Sequence, residues 1–265
     1  MTILQAIILS IVEGLTEFLP ISSTAHMKFT NPIIGVTSNP FSDLFEIVIQ
    51  LFAILAVVVV YYKKFFDFSR LSFYVKLIIA LIPAVIFGFL LKKRIDAALE
   101  NLYFLAAVML GGGILFLFVD RWFNHPRIES ERNVSNAAAF KIGCFQVLSI
   151  VLPGFSRAGA TIIGGLSQGL TRKAAAEFSF FLAVPTMLAA SVKSYWDVHK
   201  EHPEALTKDN ATLLLLSGVV TFLVAIIVIR FFIGFLQRHG FKVWGYYRII
   251  VGLLMLVLLW RGIIR

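Results

Sequence analysis

Hydrophobic positions in this chain neither alternate nor form stripes. They run on for the length of a bilayer crossing and are apolar on every side, as in residues 47–62 and 213–229. A helix apolar all round is a buried or lipid-facing one, and about 20 such residues cross a bilayer. The pattern predicts spanning helices over residues 43–62, 73–91 and 102–119, and again over 176–191, 213–233 and 244–260. Polar punctuation separates them: Lys63, Lys64 and Arg70 in one turn, Lys92-Lys93-Arg94 in the next, and a polar linker over 120–136. Gly111-Gly112-Gly113, mid-span, permits a close helix contact.

Two apolar pieces are too short to cross. Only about ten apolar residues precede Glu13, and Pro20 interrupts the helix that would follow. Residues 140–152 form a second short piece, ending in Leu152-Pro153. The expected geometry is a helix in, a break, and a segment back, which the bilayer tolerates only inside protein or around a water-filled cavity. Aligning Leu19-Pro20 with Leu152-Pro153 lays Glu13 over Gln146, Ser23 over Ser156 and Thr24 over Arg157, with Glu46 two positions from the register of Glu177. Each half then has one broken segment and three spans. An odd number of crossings inverts the second half relative to the first and places a site where the broken segments meet. The expected fold is an all-α polytopic membrane protein: six transmembrane helices plus two re-entrant helix pairs in an inverted-topology repeat. It is read as one integral membrane domain over 1–265, with halves of about 1–123 and 139–265. Lys and Arg are nearly balanced between the two sets of loops, so the positive-inside rule leaves orientation open.

Composition fits. The chain is 59% hydrophobic and 15% charged, against about 25% charged in soluble domains. Its net charge of +9 lies on loops and helix ends rather than in a nucleic-acid patch. Such charge is ordinary juxtamembrane Lys and Arg, or an attraction for anionic lipid or a phosphorylated substrate. Its 26 Phe suit lipid- or acyl-facing surfaces. The single cysteine, Cys144, forms no intramolecular disulfide and is expected to be a small packing residue. Residues 1–12 lack a basic n-region and a small-residue cleavage site, and are read as mature protein.

Against this background the stretch from Glu13 to His26 stands out, holding Glu13, Thr16, Glu17, Ser22, Ser23, Thr24 and His26. Ionisable groups at membrane depth are costly unless they have partners or line a polar cavity. Glu13 and Glu17, four apart, share a helix face. Two carboxylates in low dielectric repel, so at least one is protonated or a cation sits beside them; Mg²⁺ or Ca²⁺ would bridge them to phosphate oxygens. The hydroxyls of Ser22, Ser23 and Thr24 stand where a new helix starts, able to cap it, and the free N–H groups there form an anion site. His26 is a candidate nucleophile, proton carrier or phosphate ligand. The second broken segment, residues 153–161, adds a fixed positive charge, Arg157, among Gly154, Ser156, Gly159 and Thr161. Glycine lets backbone N–H groups approach phosphate, and guanidinium grips it in two places. Acid, hydroxyl, imidazole, arginine and cation together suit in-line attack on a phosphoryl group of a phosphorylated lipid.

The two segments resemble the paired signatures of the bacterial undecaprenyl pyrophosphate phosphatases of the bacitracin-resistance type. The likeness extends to residues 45–50 and 176–185 and covers essentially the whole chain. It implies hydrolysis of a C55 isoprenyl diphosphate to the monophosphate and phosphate, recycling the carrier lipid of cell-wall synthesis in the bacterial plasma membrane. By resemblance, Glu17, Ser23, His26 and Arg157 carry the reaction and Glu13 assists at the metal or diphosphate. Ser156 and Thr161 hold phosphate oxygens, a divalent cation is needed, and the site faces the outer, periplasmic side. The chain departs from the family pattern at Ala158, where a second Ser is usual, and at Ala25, where Gly is usual. Expected partners are the polyprenyl diphosphate and membrane lipids, not nucleic acid, with a homodimer left open. Whether Ser23, His26 or water attacks stays open. The rival is a transporter or flippase built on the same inverted repeat.

Overall fold

A bilayer offers no hydrogen bonds to the backbone, and the chain answers with helix almost throughout. A computed structural model describes residues 1–67, 69 and 71–264; Arg70 lies outside them. Twelve α-helices follow one another among the described residues: α1 Ile3–Thr16, α2 Ser23–Ile33, α3 Pro40–Val60, α4 Tyr62–Phe65, α5 Leu71–Leu90, α6 Lys92–Glu100, α7 Leu102–Trp122, α8 Asn136–Val151, α9 Arg157–Ser167, α10 Arg172–Glu201, α11 Lys208–His239 and α12 Lys242–Trp260. Six of them, α3, α5, α7, α10, α11 and α12, are long and apolar enough to cross a membrane. They match the predicted spans to within a turn or so, except that α10 and α11 extend well past theirs. This is a multi-pass membrane protein.

The two short pairs fold back on themselves. Gln5 Nε2 near the start of α1 donates to Ile34 O just past α2 (2.9 Å). Across the other pair, the linker before α8 meets the end of α9, where Arg127 N and Ile128 N both donate to Gly169 O. The first pair opens beside the start of α3, Phe41 packing in one cluster with Ala6, Met27 and Ala205. The second opens at the opposite ends of the spans, where Arg172 at the head of α10 reaches Gln237 O near the foot of α11. The two pairs therefore open at opposite ends of α10 and α11.

The halves are interleaved. α1 packs on α11, and its counterpart α8 packs on α5; α7 and α12 pair with each other. Glycine sets how close these contacts come. A Cβ at Gly14 would lie 2.9 Å from Thr221 O, one at Gly143 2.2 Å from Ala80 O, and one at Gly113 2.9 Å from Gly245 O. Of the glycine triplet, Gly112 and Gly113 face α12, whereas Gly111 has open space beside it. Cys144 differs from expectation: it is exposed on the outward side of α8, because the small inward positions of that helix are taken by Ala139 and Gly143.

Candidate active site

α1 runs on through Glu13 and ends at Thr16, with Glu17 as its C-cap in right-handed geometry, so both carboxylates share one face. The chain then turns through Pro20 and restarts at Ser23. Ser22 caps α2, accepting from Ala25 N, and holds φ +69°. Ser156 does the same for α9, accepting from Gly159 N at φ +80°. These are the only non-glycine residues with positive φ among those described. Each such conformation costs about 1–3 kcal/mol and persists only where the surroundings over-determine it. The matched caps also correct the alignment. Ser22, not Ser23, corresponds to Ser156, which places Ser23 over Arg157. The second turn contains one more residue between its proline and its cap, and counting from Pro20 and Pro153 misses it. Glu13 and Gln146 keep their correspondence, each at the eleventh position of its helix.

The two turns meet. Arg157 donates to Glu17 Oε1 (2.6 Å) through one terminal nitrogen and to Ser179 O of α10 (3.2 Å) through the other. Ser23 Oγ donates to the remaining oxygen, Glu17 Oε2 (2.5 Å). Glu17 thus sits between a hydroxyl and a guanidinium, and these ionic side chains are only 5% and 10% exposed. Arg157 Nε is buried without a partner, as are both carboxylate oxygens of Glu13. Unpartnered buried donors and acceptors are expensive, and Nε–H and the Glu13 carboxyl are the two such groups beside the Glu17–Arg157 pair.

Other expected residues are placed differently. Thr161, wholly buried, bonds Ser179 Oγ (2.6 Å) and the Arg157 carbonyl (2.9 Å). Ser156 Oγ reaches Leu19 O (3.4 Å) while capping α9. Both hydroxyls are committed to protein partners and shape the turn that carries Arg157. Ser22 is likewise spent as a cap, and Thr24 is half-buried one residue beyond Ser23. His26 does not touch Ser23 or Glu17 by hydrogen bond. Its Nδ1 lies 2.8 Å from Ser22 O and its Nε2 2.8 Å from the Tyr247 hydroxyl. Ala25 and Ala158, the two departures from the family pattern, are fully packed; the left-handed position is Ser22, which explains why Ala25 needs no glycine.

Two residues of α12 escaped the sequence reading. Arg248 is fully buried. Its guanidinium donates to Pro20 O (3.3 Å), Phe155 O (3.0 Å), Gly154 O (2.9 Å) and Val108 O (3.4 Å), and lies over the Phe116 ring at 4.9 Å. It ties the carbonyls of both turns to one cation, and Gly112 leaves the room, since a Cβ there would stand 2.5 Å from a guanidinium nitrogen. Tyr247 is its neighbour. The available signal was an arginine inside an otherwise apolar span.

Farther out, Glu46 accepts from Asn31 (2.6 Å) and pairs with Lys28 (3.3 Å). Its counterpart Glu177 pairs with Lys64 (2.7 Å), which also reaches Glu131. Burial by itself would push the Glu131 carboxyl up; Lys64, its own backbone N–H and Glu177 outweigh that and hold it below the usual carboxylate range.

Over residues 6–254 the chain matches the family described as Bacitracin resistance protein BacA. Among curated relatives, the undecaprenyl-diphosphatase of Flavobacterium psychrophilum is 52% identical over 258 residues, covering 97% of this chain and 96% of the relative. That of Porphyromonas gingivalis is 50% identical over 280 residues, 99% of each chain. That of Bdellovibrio bacteriovorus is 42% identical over 264 residues, 99% of this chain and 98% of the relative.

Proposed function

The chain belongs to the bacitracin resistance protein BacA family, and from that premise we propose that it hydrolyses undecaprenyl diphosphate to undecaprenyl phosphate and inorganic phosphate, the activity behind bacitracin resistance. The observation that carries the mechanism is the chain of contacts Ser23–Glu17–Arg157. A hydroxyl that donates to a carboxylate has a base in place to take its proton as it attacks. Ser23 Oγ attacks the terminal phosphorus as its proton passes to Glu17 Oε2. The phosphoanhydride bond breaks, undecaprenyl phosphate leaves, and a phosphoserine remains. Glu17 gives that proton to the departing undecaprenyl phosphate; as ionised base it then takes a proton from the water that attacks the phosphoserine, and returns it to Ser23 Oγ as inorganic phosphate leaves. Arg157 holds Glu17 in place and offers Nε–H to a diphosphate oxygen.

Glu13 fits a hard divalent cation, Mg²⁺ or Ca²⁺, because its two oxygens are buried and unpartnered beside Glu17. No group of three His, Cys, Asp or Glu able to hold a metal occurs among the described residues, so diphosphate oxygens and water would complete the shell. When bound, the cation supplies charge neutralisation on the phosphoryl oxygens. Chelation should stop phosphate release and added Mg²⁺ or Ca²⁺ should restore it; activity indifferent to chelator refutes the cation.

We place the protein in the bacterial plasma membrane, with α1–α2 and α8–α9 re-entrant and the α1–α2 mouth on the outer side. A single cysteine at Ser38, in a variant lacking Cys144, should react with an impermeant thiol reagent on intact cells; labelling only after lysis reverses the orientation. The catalytic reading is tested by ³²P transfer from the terminal phosphate. Labelled Ser23 in a quenched reaction supports it. A Ser23→Ala protein that retains normal phosphate release in detergent refutes it. Turnover in detergent, where no compartments exist, also separates an enzyme from a transporter.

A further inference from the structure

His26 is held more tightly than a lone imidazole needs to be, and the group holding it comes from the other half of the molecule. Its Nδ1 lies 2.8 Å from the carbonyl of Ser22, an oxygen that only accepts. Nδ1 therefore carries a proton. In the neutral ring Nε2 then bears the lone pair, and the Tyr247 hydroxyl, 2.8 Å away, donates to it. The two rings stack at 5.7 Å between centroids with planes 17° apart. The carbonyl that fixes Nδ1 belongs to the strained cap residue, so the imidazole is keyed to the turn on one side and to α12 on the other. The next residue, Arg248, fixes that same turn through Pro20 O. Tyr246, on the other side of Tyr247, is exposed and makes no such contact among the described residues.

We propose that Tyr247 is a positioning residue for the phosphatase reaction: with the Nδ1–H tautomer of His26 set by Ser22 O, its hydroxyl donates to Nε2 and holds the ring beside the turn that bears Ser23. A histidine whose ring face and both nitrogens are occupied is oriented, not free to attack. Nε2 then acts as a fixed hydrogen-bond acceptor whose donor is the Tyr247 O–H. This rests on the phosphatase reading above and on His26 belonging to its reaction.

The Tyr247→Phe variant keeps the ring and its stacking and removes only the O–H. It should lower kcat about tenfold, the worth of one lost hydrogen bond, with KM within about twofold. Nitrogen-15 spectra of histidine-labelled protein in detergent, assigned by the loss of one signal in His26→Gln, should show the Nδ1–H form in both proteins, with the Nε2 signal shifted in Tyr247→Phe by the loss of its donor. Tyr247→Phe combined with His26→Gln should be no slower than His26→Gln alone, since both act at one place. An unchanged His26 spectrum in Tyr247→Phe, or additive losses in the double variant, overturns the proposal. If His26→Gln itself keeps full activity while the His26 signal of the parent still responds to Tyr247→Phe, the positioning contact stands and the role of His26 in the reaction is what fails.

Discussion

Replacing Arg157 with lysine is the sharpest test of the site, because it keeps the charge and removes the geometry. The guanidinium spans two acceptors on different elements, Glu17 Oε1 at 2.6 Å and Ser179 O at 3.2 Å, and keeps Nε–H unpartnered. An ammonium is a point donor on a shorter reach and cannot serve the carboxylate, the carbonyl and an incoming phosphate together. The variant loses at least one hydrogen bond to a charged group, about 1.5–3 kcal/mol, which is about 10- to 150-fold in kcat/KM. Arg157→Ala goes further and leaves Glu17 a buried carboxylate without its cation, a loss of about 3–5 kcal/mol of stability. Phosphate release from the lipid diphosphate in detergent gives the first number, and the melting temperature of the same preparations gives the second. Arg157→Lys should melt near the parent and turn over far more slowly. A lysine variant with half the parent activity or more would refute the claim that two-point anchorage of Arg157 organises the site.

Three further expectations follow from packing and charge. Arg248→Lys should lower the melting temperature and activity together, since one ammonium replaces a fork that bonds carbonyls of both turns; unchanged thermal unfolding would show that the turns hold without it. Gly143→Ala should destabilise by about 1–3 kcal/mol because its methyl meets the Ala80 carbonyl, whereas Gly111→Ala, with open space, should be near neutral; equal melting temperatures would contradict the close α5–α8 contact. Glu131, held below its ordinary value of 4.5, contributes stability that is fully present above that value and lost as pH falls through its lowered folded one. Glu131→Gln should therefore flatten the acid limb of the stability–pH curve, and an acid limb unchanged by the substitution counts against the Lys64–Glu131 pairing.

Much of this was legible in the chain before any coordinates. Apolar runs of bilayer length leave helix as the only backbone solution, and Pro20 and Pro153 must break it, so six spans and two short broken pieces follow from composition and spacing. The concentration of Glu13, Glu17, Ser23, His26 and Arg157 in those pieces marked the site, because ionisable groups are kept in apolar surroundings only for a reason. Local sequence does not encode which hydroxyl finds which partner. Ser22 and Ser156 take strained cap conformations that only the meeting of the two turns imposes, so their correspondence shifted by one residue from the proline count. Thr161 and Ser156 turned inward to protein acceptors and Ser23 outward to Glu17, a division decided by where α10 and the opposing turn lie. Tyr247 and Arg248 sit more than 220 residues along the chain from His26 and Pro20, which they hold. The sequence determined that a polar site exists in a membrane fold and which residues are rich in chemistry. Which of them meet and which turn to other partners was decided by the packing of the two halves on each other, because hydrogen bonds are satisfied by proximity in space and each half supplies partners the other lacks.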